Sequence, residues 1–119
     1  MSQSLLLTCD DGSSIGVVRN PFERVVSEYY ASLNYIGLDA WLAECPPKSQ
    51  VELYKNCDYL ITFDTWETDL ELWNLHPKDT SILESVKVTP MWNRWYTLKT
   101  RTLVAQIYQD DIATFGYSY

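Results

Sequence analysis

The spacing of apolar residues changes along the chain, and each change marks an element. Ile15 to Val18 is a short β-branched run bounded by Gly12 and the Asn20-Pro21 pair, which predicts a buried strand ending near Arg19. Beyond it Phe22, Val25, Val26, Tyr29, Tyr30 and Leu33 recur at three- and four-residue spacing. That spacing predicts a helix with one stripe toward a core and with Arg24, Ser27 and Glu28 off the stripe. The helix start is strongly marked. Asn20 can accept from the first free N–H groups, Pro21 occupies the first helical position without losing a bond, and Glu23 stands three residues after the cap.

The middle of the chain is weakly patterned. Leu38 to Ala43 reads as a short helical segment closed by Cys45-Pro46-Pro47, and Ser49 to Lys55 as another turn or two. Asp58 to Phe63 has the β-branched and aromatic content of a second strand, after which Thr65 or Thr68 caps a helix through Leu70, Leu72, Trp73 and Leu75. Pro77 closes that helix. Ser81 to Pro90 reads as an irregular connection with an extended piece at Val86 to Thr89. From Thr97 or Thr100, the residues Leu103, Val104, Ile107, Tyr108 and Phe115 predict one C-terminal helix, with Gly116 at its end. Asp111 falls inside that stripe, where an unpaired carboxylate is costly, so it should meet an arginine or backbone N–H groups. Strand, helix, strand, helix predicts an α/β fold with a parallel pair.

Length and charge narrow the classes. At 119 residues the chain should form a single domain over 1–119. A net charge of −7 argues against nucleic-acid or anionic-membrane partners, so an anionic ligand would need a local basic pocket. Cys9, Cys45 and Cys57 lack the spacing of metal ligands or of a disulfide framework and read as reduced, mostly buried thiols, with no metal expected. The first residues, MSQSLLLTCDD, lack the basic region and apolar length of a signal peptide, and no segment reaches membrane-spanning length; a cytoplasmic location is expected. Five Trp and nine Tyr are enough that some should lie at an interface.

Three stretches, in order, resemble the sulfotransferases that use 3′-phosphoadenosine 5′-phosphosulfate (PAPS), especially the carbohydrate-type branch. Val18-Arg19-Asn20-Pro21-Phe22-Glu23-Arg24 followed by Val25-Val26-Ser27 is similar to that family's 3′-phosphate-binding motif. Asp58 to Leu70 is similar to its strand-then-helix run, without the usual basic residue after the strand, and Tyr108 to Tyr117 to its Y-x-x-D-[FIL]-x-x-F-G-Y ending. The resemblance covers the chain from residue 15 onward. It implies a reduced P-loop-like sulfotransferase fold, a small parallel sheet of two or three strands packed with helices. It also implies that Arg19 and Ser27 bind the 3′-phosphate of PAPS or of adenosine 3′,5′-bisphosphate. Arg24 would tie the motif to its surroundings, as an ion pair with Asp111 or as a further ligand. Arg94, Lys99 and Arg101 form a basic run beside Trp92, Trp95 and Tyr96, which reads first as the solvated start of a helix. The resemblance puts it in the place of the family's late basic loop, where the three would be further ligands of the nucleotide.

The family's N-terminal strand, phosphosulfate loop and helix have no counterpart before Ile15, where Asp10-Asp11-Gly12-Ser13-Ser14 is acidic and lacks lysine. No catalytic base is named by the sequence; His76, the lone histidine, sits before Pro77 where a surface or capping role is the default. Trp66, Trp73, Trp92 and Trp95 suit core or interface packing as well as stacking on an adenine. Two functions follow from the resemblance. One is sulfuryl transfer from PAPS to a hydroxyl acceptor, with a second subunit of a homo-oligomer or another polypeptide supplying the loop. The other is a catalytically inactive module that binds a nucleotide, a protein or an assembly partner, of the kind a compact viral genome would carry.

Overall fold

Residues 5–33, 35–86 and 91–119 are described by the computed structural model. Among them are three strands, β1 (Leu6–Thr8), β2 (Ser14–Val18) and β3 (Tyr59–Thr62). Seven α-helices accompany them: α1 (Pro21–Ser32), α2 (Leu38–Glu44), α3 (Gln50–Leu53), α4 (Trp66–Leu72), α5 (Ser81–Ser85), α6 (Leu98–Ile107) and α7 (Gln109–Phe115). Single 3-10 turns lie at Phe63–Thr65 and Trp92–Trp95. The chain divides into two compact units that alternate in sequence. A sheet unit joins residues 5–19 to Glu52–Val86, and a helical unit joins Asn20–Val51 to the C-terminal segment.

In the sheet unit the strand order is β1-β2-β3, with β2 and β3 parallel in the register Val17↔Ile61, as the strand-helix-strand pattern predicts. The third strand corrects the expectation of a purely parallel sheet. β1 runs antiparallel to β2, with Leu7 opposite Ile15, because the chain reverses tightly between them. Asp11 Oδ1 accepts from the N–H and the hydroxyl of Ser13 at 2.9 and 2.6 Å, and Gly12 supplies a φ of +88° that other residues adopt at a cost. Leu5, Leu7 and Cys9 then point into a core with Ile15, Val17, Ile61, Leu70 and Leu83, while Leu6 and Thr8 face outward. Gly16 leaves room for the Tyr54 ring, since a Cβ there would lie 2.7 Å from Tyr54 Cγ, and the Tyr54 hydroxyl accepts from the Leu5 N–H at 2.9 Å.

The helix after β3 stops at Leu72 rather than running through Leu75, because Asn74 takes a left-handed conformation with φ of 52°. Thr65 sits at its cap position without capping through its side chain. The organising group is Asp69, whose Oδ2 accepts from the Thr62 N–H at 2.9 Å and from the Thr62 and Thr65 hydroxyls at 3.0 and 3.2 Å. The expected irregular connection after Pro77 contains α5, which seats Leu83 in the core. The extended piece expected at Val86 to Thr89 lies, beyond Val86, outside the described residues.

The helical unit is built around α1. Asn20 Oδ1 accepts from the Phe22 N–H at 3.0 Å and Pro21 stands at the first position, as its sequence predicts. Phe22, Val25 and Tyr29 pack with Leu38, Trp41 and Leu42 of α2 and with Val104 and Tyr108. Here the structure exceeds the one-stripe expectation. Glu23, Arg24, Ser27 and Glu28 are buried as well, so α1 is covered on nearly every side, while Tyr30 and Leu33, expected on the buried stripe, are exposed. The single C-terminal helix is in fact two. Thr97 and Thr100 form a capping box at the start of α6, the helix breaks at Tyr108, and Gly116 with φ of 73° ends α7 where its sequence position predicts. The break follows from a tether, the Tyr108 hydroxyl donating to the Pro47 carbonyl at 2.6 Å. No helix among the described residues is long and apolar enough to cross a membrane.

Candidate functional site

Of the residues that the resemblance singles out, Arg19 belongs to the sheet unit and Ser27, Arg24, Arg94, Lys99 and Arg101 to the helical unit. Arg19 directly follows β2 and is buried, its guanidinium carbon 5.1 Å from the centroid of the Phe63 ring. Val18 pairs with Thr62, so within this unit the carboxyl ends of β2 and β3 lie side by side. Arg19, Thr62, Phe63 and Asp69 therefore gather at the end of a parallel pair, the place where α/β sheets bind ligands. The Asp69 carboxylate is occupied by the three donors of Thr62 and Thr65, which holds the turn after β3 in shape.

Ser27 is buried on α1. Arg24 lies one turn before Glu28 and pairs with it, Nε to Oε2 at 2.9 Å, with both side chains inside. The expected partner, Asp111, is otherwise engaged. Its two oxygens accept from the Gln50 and Val51 N–H groups at 2.8 and 2.9 Å, satisfying donors that the start of α3 would leave bare, so the backbone alternative holds and the arginine one does not. Asp111 is fully buried, so these bonds replace all its water. Burial pushes the Tyr108 hydroxyl well above the ordinary tyrosine range, against the opposing pull of Arg24, and keeps it a neutral donor to Pro47. Tyr96 is raised in the same direction, again mainly by burial, and donates to the Phe22 carbonyl at 2.6 Å.

The basic run leads into the exposed start of a helix, as the solvated reading has it, and is not a loop. Arg94 sits on the exposed 3-10 turn, while Lys99 and Arg101 are on α6. Lys99 Nζ lies 3.4 Å from Asp39 Oδ2 on α2, an exposed and weak pair. The Arg101 guanidinium stacks 4.0 Å over Tyr119, whose ring also meets Phe22, Trp92 and Tyr96 edge-on. Trp92 and Trp95 are thereby packing residues, Trp95 against Tyr29 and Tyr30, and Trp66 lies against the sheet core. His76 is exposed, with Nε2 3.1 Å from Asn74 Oδ1. All three cysteines are free thiols: Cys9 is buried, Cys57 half-buried with its thiol pushed up by burial, and Cys45 exposed, which corrects the expectation for that one.

Two features escaped sequence reasoning. One is a cleft of about 380 Å³ on the sheet unit, bordered by Cys9, Asp10, Asp11, Tyr59, Trp73 and His76. Beside it a smaller cavity of about 180 Å³ shares Tyr59, Trp73 and Leu75 and adds Leu60. Its signal was present in the alternation from Leu5 to Cys9 followed by Asp10-Asp11-Gly12, a hairpin pattern that places Asp10 and Asp11 beside β1. The second is a shallow hollow of about 610 Å³ along α6, bordered by Leu98, Lys99, Thr102, Leu103 and Gln106. Among the described residues no group of three His, Cys, Asp or Glu side chains is placed to hold a metal ion. No family model, curated protein or solved structure matches the chain.

Proposed function

We propose that the protein is a sulfotransferase-like module of reduced P-loop-like fold, with Arg19 taking the 3′-phosphate of PAPS or of adenosine 3′,5′-bisphosphate. Ser27 is the second residue that the resemblance assigns to that phosphate. Sulfuryl transfer to a hydroxyl acceptor then requires a phosphosulfate loop that residues 5–14 do not supply, for example from a second subunit, because positioning one end of the nucleotide does nothing for the charge developing at the transferred group. The observation that supports the reading is Arg19 itself, a permanent cation buried at the carboxyl end of a parallel strand pair.

The inactive alternative, a module that binds nucleotide or protein without catalysis, draws on a different observation: Tyr59, Leu60, Leu72 and Trp73 are exposed on the sheet unit. Titration with adenosine 3′,5′-bisphosphate tests the first reading. A ligand of the folded state raises the melting temperature, by about 2.7 kcal/mol of stability at a hundredfold excess over Kd. Arg19→Lys and Ser27→Ala should each reduce that rise. No rise at millimolar nucleotide removes the phosphate reading, and a rise without sulfate transfer when PAPS and acceptors are supplied selects the inactive module.

A further inference from the structure

The charge of the protein is concentrated in one of its units. Across residues 5–19 and Glu52–Val86 the sheet unit carries ten acidic and three basic residues, which accounts for the whole net charge of −7. The described residues of the helical unit carry six acidic and five basic. None of the ten sheet-unit carboxylates is buried, so their field acts outward and draws cations.

That field surrounds a cleft with aromatic walls. Trp73 is 66% exposed and Tyr59 41%, a large apolar area left in water beside a cavity of about 380 Å³, within the usual range of ligand cavities of about 300–1,000 Å³. An indole face is the best aromatic partner for a cation. Asp10 and Asp11 stand on the β1–β2 hairpin at the rim of the same cleft. Asp11 is already oriented by its bonds from Ser13, and those bonds hold its carboxyl below the usual range, so it is charged near neutrality. Next to the cleft, the smaller cavity shared by Tyr59 and Trp73 is lined by Leu60, Ile61 and Leu75 with Asp58 at its edge, a mainly apolar recess for a neighbouring side chain. Aromatic faces, two carboxylates of which Asp11 is held in place, and a mainly apolar annex together match a guanidinium on an aliphatic stem.

We propose that the cleft bordered by Asp10, Asp11, Tyr59 and Trp73 docks an arginine-bearing basic segment of a partner protein, the guanidinium lying on Trp73 and pairing with the two carboxylates. Arginine is preferred to lysine because its planar head both stacks and bonds carboxylates in pairs. This goes beyond the nucleotide reading and does not depend on it, since the ligand has the opposite charge.

The test uses the full chain with a fluorescent oligo-arginine peptide followed by anisotropy, and the indole N–H resonances followed by NMR. Saturable one-to-one binding that weakens with salt is expected, with the Trp73 indole signal shifting. Trp73→Ala should weaken binding by about tenfold or more and Trp73→Phe by less. Asp10→Asn should weaken it a few-fold, roughly the loss of one exposed ion pair. Trp95→Ala, in the helical unit, should leave it unchanged, and oligo-lysine should bind more weakly than oligo-arginine. Because Trp73 is mostly exposed, its variants should keep the wild-type circular dichroism. Absence of binding at low salt would overturn the proposal. So would binding that never saturates, indifference to Trp73→Ala, equal loss on Trp95→Ala, or preference for an oligonucleotide in the same cleft.

Discussion

The sheet unit keeps all but one of its described charges outside, whereas the helical unit takes several of its own inside. In the first, the core is Leu5, Leu7, Cys9, Ile15, Val17, Ile61, Leu70 and Leu83, and Arg19 is the one buried charged residue among those described. In the second, Glu23, Arg24, Glu28 and Asp111 are buried beside Ser27, Gln50 and Thr100. Burying charge costs free energy that only close pairing offsets, so the helical unit is specified by directional bonds and the sheet unit by shape. A consequence is that the two should fail differently. The helical unit is brittle toward loss of a single polar group, and the sheet unit toward a change of volume.

The largest effect should come from Asp111→Ala, which strips two buried N–H groups of their acceptor and should cost about 3 kcal/mol. Denaturant unfolding measures the loss. Hydrogen exchange should locate it at Gln50 and Val51, and an effect under about 1 kcal/mol would mean that water reaches those amides and that the helical unit is not brittle there. Next is Gly16→Ala in the sheet unit. The added methyl meets the buried Tyr54 ring at 2.7 Å and should cost about 2 kcal/mol through overpacking. Rescue of Gly16→Ala by Tyr54→Leu would show that volume is the cause.

Tyr119→Ala should cost the helical unit about 1 kcal/mol, since it removes ring contacts to Phe22, Trp92 and Tyr96 and the stack with Arg101 from a partly exposed place. The smallest effect is nil at neutral pH and grows only in alkali. Tyr96 and Tyr108 have their folded values raised, so the stability they contribute is fully present below the unfolded value of about 10 and is lost as pH climbs above it. The contribution of these two hydroxyls should therefore be flat from neutral pH up to about pH 10 and fall beyond, read in amides of the helical unit. Tyr108→Phe should make that alkaline fall shallower.

Much of the local structure was legible in the residues themselves. Asn20 and Pro21 fix the start of α1, Pro46 and Pro47 close the segment after α2, Gly116 ends α7, and the β-branched runs became β2 and β3. Asp111 announced its need of donors by its place in an apolar stripe. What stayed hidden depends on partners distant in sequence. Periodicity shows the first buried face of α1 and says nothing of a second, so the burial of Arg24, Ser27 and Glu28 could not be read. The break at Tyr108 comes from Pro47, 61 residues earlier. β1, only three residues long, is made a strand by its pairing with β2 more than by its own sequence. The Arg24 pairing turns on Glu28, one turn away, a spacing that invites an ion pair as readily as the place of Asp111 in its stripe does.

The alternation of the two units along the chain also sets an order of assembly on the ribosome. The sheet unit has all its described parts once Val86 has been made, and β2 finds β3 after a short wait. Helix α1 is less fortunate, because the Val104 and Tyr108 side chains that complete its apolar cover are encoded some seventy residues after it ends. At roughly 5–20 residues per second of synthesis, Val25 and Tyr29 have only α2 as cover for several seconds. During that interval α1 is a nascent amphipathic segment open to chaperones, and a ribosome stalled before α6 would release a chain with a finished sheet unit and an unfinished helix.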